Sequence, residues 1–127
     1  MQDAELLQKA REAQKNSYSP YSRFSVGAAL LTKSGRIYTG TNIENASYGL
    51  CLCAERVAIV KAVSEGEKEF SKMAVICPSP DLPCRPCGAC LQVMQEFAPD
   101  MIIIMSNAQG WQETRTLQEL LPYPFGL

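Results

Sequence analysis

The chain has 127 residues, the length of one compact domain, and 46% of them are apolar, which excludes a disordered tail. Its 12 basic and 13 acidic residues are scattered and leave a net charge of -1, so no cationic run tracks a polynucleotide and a small substrate is expected instead. Histidine is absent, which removes Ser-His-Asp and Cys-His catalysis and leaves any metal site to cysteine and carboxylate.

No apolar run approaches the roughly 18 residues of a membrane span, so no membrane partner is expected. The start, Met1 to Glu5, is acidic and lacks the basic-then-apolar order of a signal peptide, which points to a cytoplasmic protein. In a reducing compartment, clustered cysteines serve metal binding or redox chemistry more often than disulfides.

In chain order, Asp3 to Asn16 carries Ala4, Leu7, Ala10 and Ala13 at helical spacing. Turn formers from Ser17 to Ser22 break it. Phe24 to Thr32 and Ile37 to Thr41 read as strands of a hairpin around Lys33-Ser34-Gly35-Arg36. Asn42 to Cys51 is polar and irregular. From Cys53 the period becomes helical, with Gly66 as the stop. Phe70 to Cys77 is a strand, and Pro78 to Pro86 a proline-rich loop. Gly88 to Phe97 is a helix. Met101 to Met105 is an unbroken apolar run, predicted as a strand buried on both faces. Trp111 to Arg115 is a short strand, and Thr116 to Leu121 a short helix with Thr116 and Glu119 as its capping box. Helices interleaved with strands predict a three-layer α/β/α sandwich with a mixed five-stranded sheet, a single domain over 1–127.

Three cysteines stand out. Cys53 lies at a predicted helix start, and Cys87 and Cys90 open another in Pro86-Cys87-Gly88-Ala89-Cys90. Helix N-termini favour thiolates, because their free N–H groups and positive dipole end face the sulfur. Gly88 is expected to permit a close backbone approach, and Pro86 to preset entry to the turn. Three thiolates around Zn²⁺ leave one tetrahedral position open, the mark of a catalytic rather than a structural site. On spacing alone, a closed site with Cys84 as fourth ligand competes, since Cys84-x-x-Cys87-x-x-Cys90 is continuous. Three thiolates against one divalent ion give a net charge of about -1 and weaken its Lewis acidity. Arg56 is placed to correct this by donating to a cysteine sulfur. Glu55, two residues after Cys53, is placed to approach the open position without ligating and to move protons. Cys51 and Cys77 read as small core residues.

Cys53-Ala54-Glu55 followed by Pro86-Cys87-x-x-Cys90 resembles the zinc nucleoside and nucleobase deaminases. Within them the chain is similar to the small, all-cysteine cytidine deaminases. The further matching segments are Phe24 to Leu30, Thr41 to Ala46, and Glu119 to Pro122. The resemblance implies a cytidine deaminase-like fold with one zinc ion per subunit. It implies hydrolysis of cytidine and deoxycytidine to uridine, deoxyuridine and ammonia in pyrimidine salvage, with another aminopyrimidine nucleoside as the alternative substrate. By position it makes Cys53, Cys87 and Cys90 the metal ligands and Glu55 the proton carrier. Asn42 and Glu44 hydrogen-bond the ribose. Phe24 lies against the substrate, and the Ala54 backbone contacts the pyrimidine. It also implies a homotetramer in which Phe125 stacks on the base bound by a neighbouring subunit, with Tyr48 near that boundary. A zinc-stabilised binding module without catalysis is the competing class and requires four protein ligands.

Overall fold

The computed structural model describes residues 2–127. Its elements are α1 (Asp3–Gln14), β1 (Gly27–Thr32), β2 (Ile37–Thr41), a 3-10 turn at Tyr48–Leu50, α2 (Ala54–Ser64), β3 (Phe70–Ile76), α3 (Gly88–Phe97), β4 (Ile102–Ser106), β5 (Gln112–Thr116) and α4 (Leu117–Leu120). They form one five-stranded sheet in the order β2-β1-β3-β4-β5. Only β3 and β4 run parallel, joined through α3, and the other neighbours are antiparallel. The mixed sheet is the one the sequence predicts.

Alternation along the strands divides the core into two layers. Ala29, Ala74, Ile76 and Ile104 meet Leu6, Leu7 and Ala10 of α1 on one face. Ala28, Leu30, Met73, Val75, Ile103 and Met105 meet α2 and α3 on the other. The helices therefore lie on both faces, and α2 and α3 share one of them.

Strand boundaries differ from expectation at the start of β1, at the end of β3, which stops at Ile76, and in β4 and β5, each shifted by one residue. The first strand begins at Gly27 rather than Phe24. Arg23 sits in the left-handed region at φ 56°, and the Val26 N–H goes to Asn42 Oδ1 at 2.9 Å, so a side chain replaces the ladder there. β4 is shifted by one residue, and Ile102 at its start is 36% exposed, so its double burial begins at Ile103. The predicted capping box is present: Glu119 N–H donates to Thr116 Oγ1 and Thr116 N–H to Glu119 Oε1.

Candidate active site

Two helix N-termini converge on the α2/α3 face. Cys53 is the N-cap of α2 and Cys87 the N-cap of α3, both with extended backbone. Cys87 Sγ accepts the Cys90 N–H at 3.5 Å, which turns the first turn of α3 toward its own cap. The sulfurs of Cys53, Cys87 and Cys90 all lie within 4.8 Å of one another. Among the described residues this is the one cluster of three or more such ligands.

The donor set fits zinc. Tetrahedral zinc with Zn–S bonds of roughly 2.3 Å places neighbouring sulfurs about 3.8 Å apart. Cys53 Sγ and Cys87 Sγ stand 3.9 Å apart. The Cys53 thiol is held down to about 5, chiefly by a hydrogen bond from Cys90 and secondly by Arg56. Arg56 Nη2 donates to Cys53 Sγ at 3.4 Å, the contact that the charge argument requires.

Glu55, on the first turn of α2, is 4% exposed. Burial pushes its carboxyl up to about 7, aided by the negative charge of Cys53 and opposed by Arg56. It faces a cavity of about 260 Å³ whose wall also includes Phe24, Asn42, Glu44, Cys53, Ala54 and Cys87. Six of the sequence-predicted positions thus line one cavity with Glu55.

Asn42 and Glu44 also hold the loop that carries Phe24. Asn42 Nδ2 donates to the Phe24 carbonyl at 2.8 Å, and Asn42 Oδ1 accepts from Val26 N–H and the Ser17 hydroxyl. Glu44 Oε1 accepts the Tyr21 and Ser22 N–H groups at 3.0 and 3.1 Å, and Oε2 accepts the Ser22 hydroxyl. The Ser22 hydroxyl leads the contacts that hold the Glu44 carboxyl below its ordinary range, so Glu44 stays an anionic acceptor. Asn42 keeps one amide hydrogen and Glu44 one acceptor position on Oε2, and both residues line the cavity.

Residues 1–106 match the family described as the cytidine and deoxycytidylate deaminase zinc-binding region. The chain belongs to this family. It is 50% identical over 121 residues to the cytidine deaminase of Halalkalibacterium halodurans, covering 94% of this chain and 91% of that one. Its fold superposes on a crystal structure of cytidine deaminase from Burkholderia pseudomallei with a TM-score of 0.95 and 43% identity, over 98% of this chain and all of the other. A further relative is blasticidin-S deaminase of Bacillus cereus, 34% identical over 98% of this chain and 92% of its own.

Four further positions carry an expectation from the sequence, and two of them, Cys51 and Gly88, depart from it within this deaminase fold. Cys84 does not join the three-sulfur cluster. Its thiol pairs with Cys77, which that contact holds at about 7 while Cys84 is pushed up, and its N–H donates to the Ser106 carbonyl at 2.9 Å. The four-cysteine site is therefore not what this geometry forms. Cys51 is half-buried rather than a core residue, and its sulfur accepts the Asn45 N–H at 3.3 Å. Gly88 has open space where a Cβ would stand, so no close approach explains it. Phe125 is 72% exposed and is not part of the wall of its own chain's cavity.

Two contributors escape a sequence reading. Arg85 lines the cavity and its Nε pairs with Glu113 of β5 at 3.4 Å, tying the loop before Cys87 to the sheet edge. Gly40 lets α2 lie directly on β2, against the backbone of Ala54, the residue between Cys53 and Glu55.

Proposed function

We propose that this chain hydrolyses cytidine and deoxycytidine to uridine and deoxyuridine with release of ammonia. Cys53, Cys87 and Cys90 hold one zinc ion per subunit, and Glu55 is the proton carrier. The observation that carries this reading is a buried carboxyl, poised near neutrality, in one cavity with a three-sulfur cluster of zinc dimensions. When bound, zinc supplies Lewis acidity that brings the pKa of water in its open position to about 7.

The remaining steps belong to the chain. Glu55 takes one proton from the attacking water and gives it to N3 as the C4–O bond forms, then takes the second from the new C4 hydroxyl and delivers it to the amine as the C4–N bond breaks. A carboxyl near pH 7 suits both directions of transfer. Asn42 donates to, and Glu44 accepts from, the sugar hydroxyls. Phe24 packs against the nucleoside, and the Ala54 backbone meets the pyrimidine edge. Arg56 withdraws charge from the Cys53 sulfur and so preserves the metal's acidity. Arg56→Gln is expected to lower zinc affinity about tenfold and to slow turnover, read by competition with a chromogenic chelator. Unchanged affinity and turnover would remove Arg56 from this role.

The protein is further proposed to be a cytoplasmic homotetramer serving pyrimidine salvage, with Phe125 stacking on the base in a neighbouring subunit. Support comes from the large rings left in solvent: Tyr48 is 73% exposed and packs edge-on against Tyr21, and Phe125 is 72% exposed. The similarity to a blasticidin-S deaminase supports a second reading, in which another aminopyrimidine nucleoside is the substrate. Ultraviolet assays of cytidine, deoxycytidine, free cytosine and blasticidin S decide between them. Turnover of the two cytosine nucleosides above the others is expected, and preference for blasticidin S would reassign the substrate.

A further inference from the structure

The C-terminal segment leaves α4 at Leu121 and runs back over α3 with little to hold it. Pro122 and Pro124 have no N–H to donate, and Tyr123 is 93% exposed. Among the described residues, the only hydrogen bonds made by residues 122–127 go to a single side chain, Gln92. Gln92 Nε2 donates to the Phe125 carbonyl at 3.0 Å, and the Phe125 N–H donates to Gln92 Oε1 at 3.1 Å. The side-chain amide thus pairs with the Phe125 backbone as a neighbouring β-strand would. Both hydrogen-bonding groups of that residue are fixed while its ring stays free.

Gln92 lies on α3 two residues after Cys90. The same helix that presents a metal ligand from its first turn therefore anchors the only phenylalanine of the tail.

We infer that Gln92 is a positioning residue: its amide clamps the Phe125 backbone and so aims the aromatic ring that closes a neighbouring subunit's substrate site. This rests on the proposed stacking role of Phe125. Gln92 belongs neither to the cavity wall nor to the sulfur cluster of its own chain, so its removal acts on substrate affinity more than on the chemical step. Two neutral hydrogen bonds at about 0.7 kcal/mol each correspond to roughly tenfold.

The test uses the zinc-loaded full chain as five proteins: wild type, Gln92→Leu, Gln92→Glu, Phe125→Ala and the Gln92→Leu/Phe125→Ala double variant. Gln92→Leu keeps the side-chain size and removes both bonds. Expected are a KM for cytidine raised about tenfold with kcat changed far less, full zinc content, and faster hydrogen exchange at the Phe125 amide. In the Phe125→Ala background the Gln92 substitution adds nothing further to KM, because both act through one ring. Gln92→Glu keeps the acceptor for the Phe125 N–H and recovers part of the protection there. If Phe125→Ala raises KM but Gln92→Leu does not, the clamp is overturned while the stacking role stands. If Phe125→Ala leaves KM unchanged, the stacking role fails and the inference fails with it. Equal KM effects of Gln92→Leu in both backgrounds would show that Gln92 acts elsewhere and likewise overturn it.

Discussion

Glu55→Gln lowers cytidine turnover by about 10³-fold while the purified protein retains its zinc. The amide keeps the size of the side chain and removes the titratable carboxyl from a site where no histidine exists to replace it. Zinc loss in this variant would make Glu55 a ligand and reverse its role. The same substitution has a signature in the metal-free protein that does not depend on activity. Burial raises the carboxyl from 4.5 to about 7, so the folded state binds this proton more tightly than the unfolded chain does. That contribution is fully present below pH 4.5 and is lost as pH rises through about 7. Above pH 7 the wild type carries a buried carboxylate at a relative cost of about 3 kcal/mol, which glutamine avoids. After chelation, Glu55→Gln is therefore expected to gain melting temperature over wild type between pH 4.5 and 7 and to hold the gain above it. A difference that is flat with pH would show that Glu55 does not titrate in the fold.

Gly40→Ala is expected to destabilise the protein by about 3 kcal/mol and to weaken zinc binding at the same time. A Cβ at Gly40 would stand 2.4 Å from the Ala54 carbonyl oxygen and 2.7 Å from the Ala58 nitrogen. Both are backbone atoms of α2, so relief requires moving the helix rather than turning a side chain. Ala54 lies between Cys53 and Glu55, and any lift of α2 from β2 displaces both of these side chains together. Gly40 has no positive φ, so the constraint is space and not backbone conformation. Gly88→Ala, with nothing within 4 Å of its Cβ, is the matched control and is expected to fold and bind zinc as wild type does. Thermal melts with zinc quantified on the same samples check both. A stable, zinc-replete Gly40→Ala would contradict the contact between β2 and α2.

What was legible in the sequence was local. The capping box at Thr116 and Glu119 depends on residues three apart, and α3 and β2 have the predicted bounds for the same reason. The cysteine triad was legible because its chemistry restricts the residue types and because Cys87 and Cys90 are close in the chain. Features set by distant packing were not. Nothing around Gly40 announces that α2 will rest on it. Phe24 to Val26 has strand-like composition, yet the Asn42 side chain takes the Val26 N–H and ends the ladder. Cys84 has ligand spacing, but its N–H is tied to the Ser106 carbonyl and its sulfur stays outside the cluster, so spacing misdirects there. Asn42 and Glu44 read as polar turn residues by composition, and only their bonds to the 17–24 loop show how they are held at the cavity.

The central claim is that three cysteines and Glu55 together make a hydrolytic site. Stepwise addition of zinc to chelated protein, with bound metal and cytidine hydrolysis measured in parallel, tests it most directly. Turnover rising in proportion to bound zinc and saturating near one ion per chain is the predicted result, with Glu55→Gln binding the same zinc and remaining inactive. Full binding of one ion without hydrolysis of any aminopyrimidine nucleoside would contradict it and leave a structural zinc site in its place.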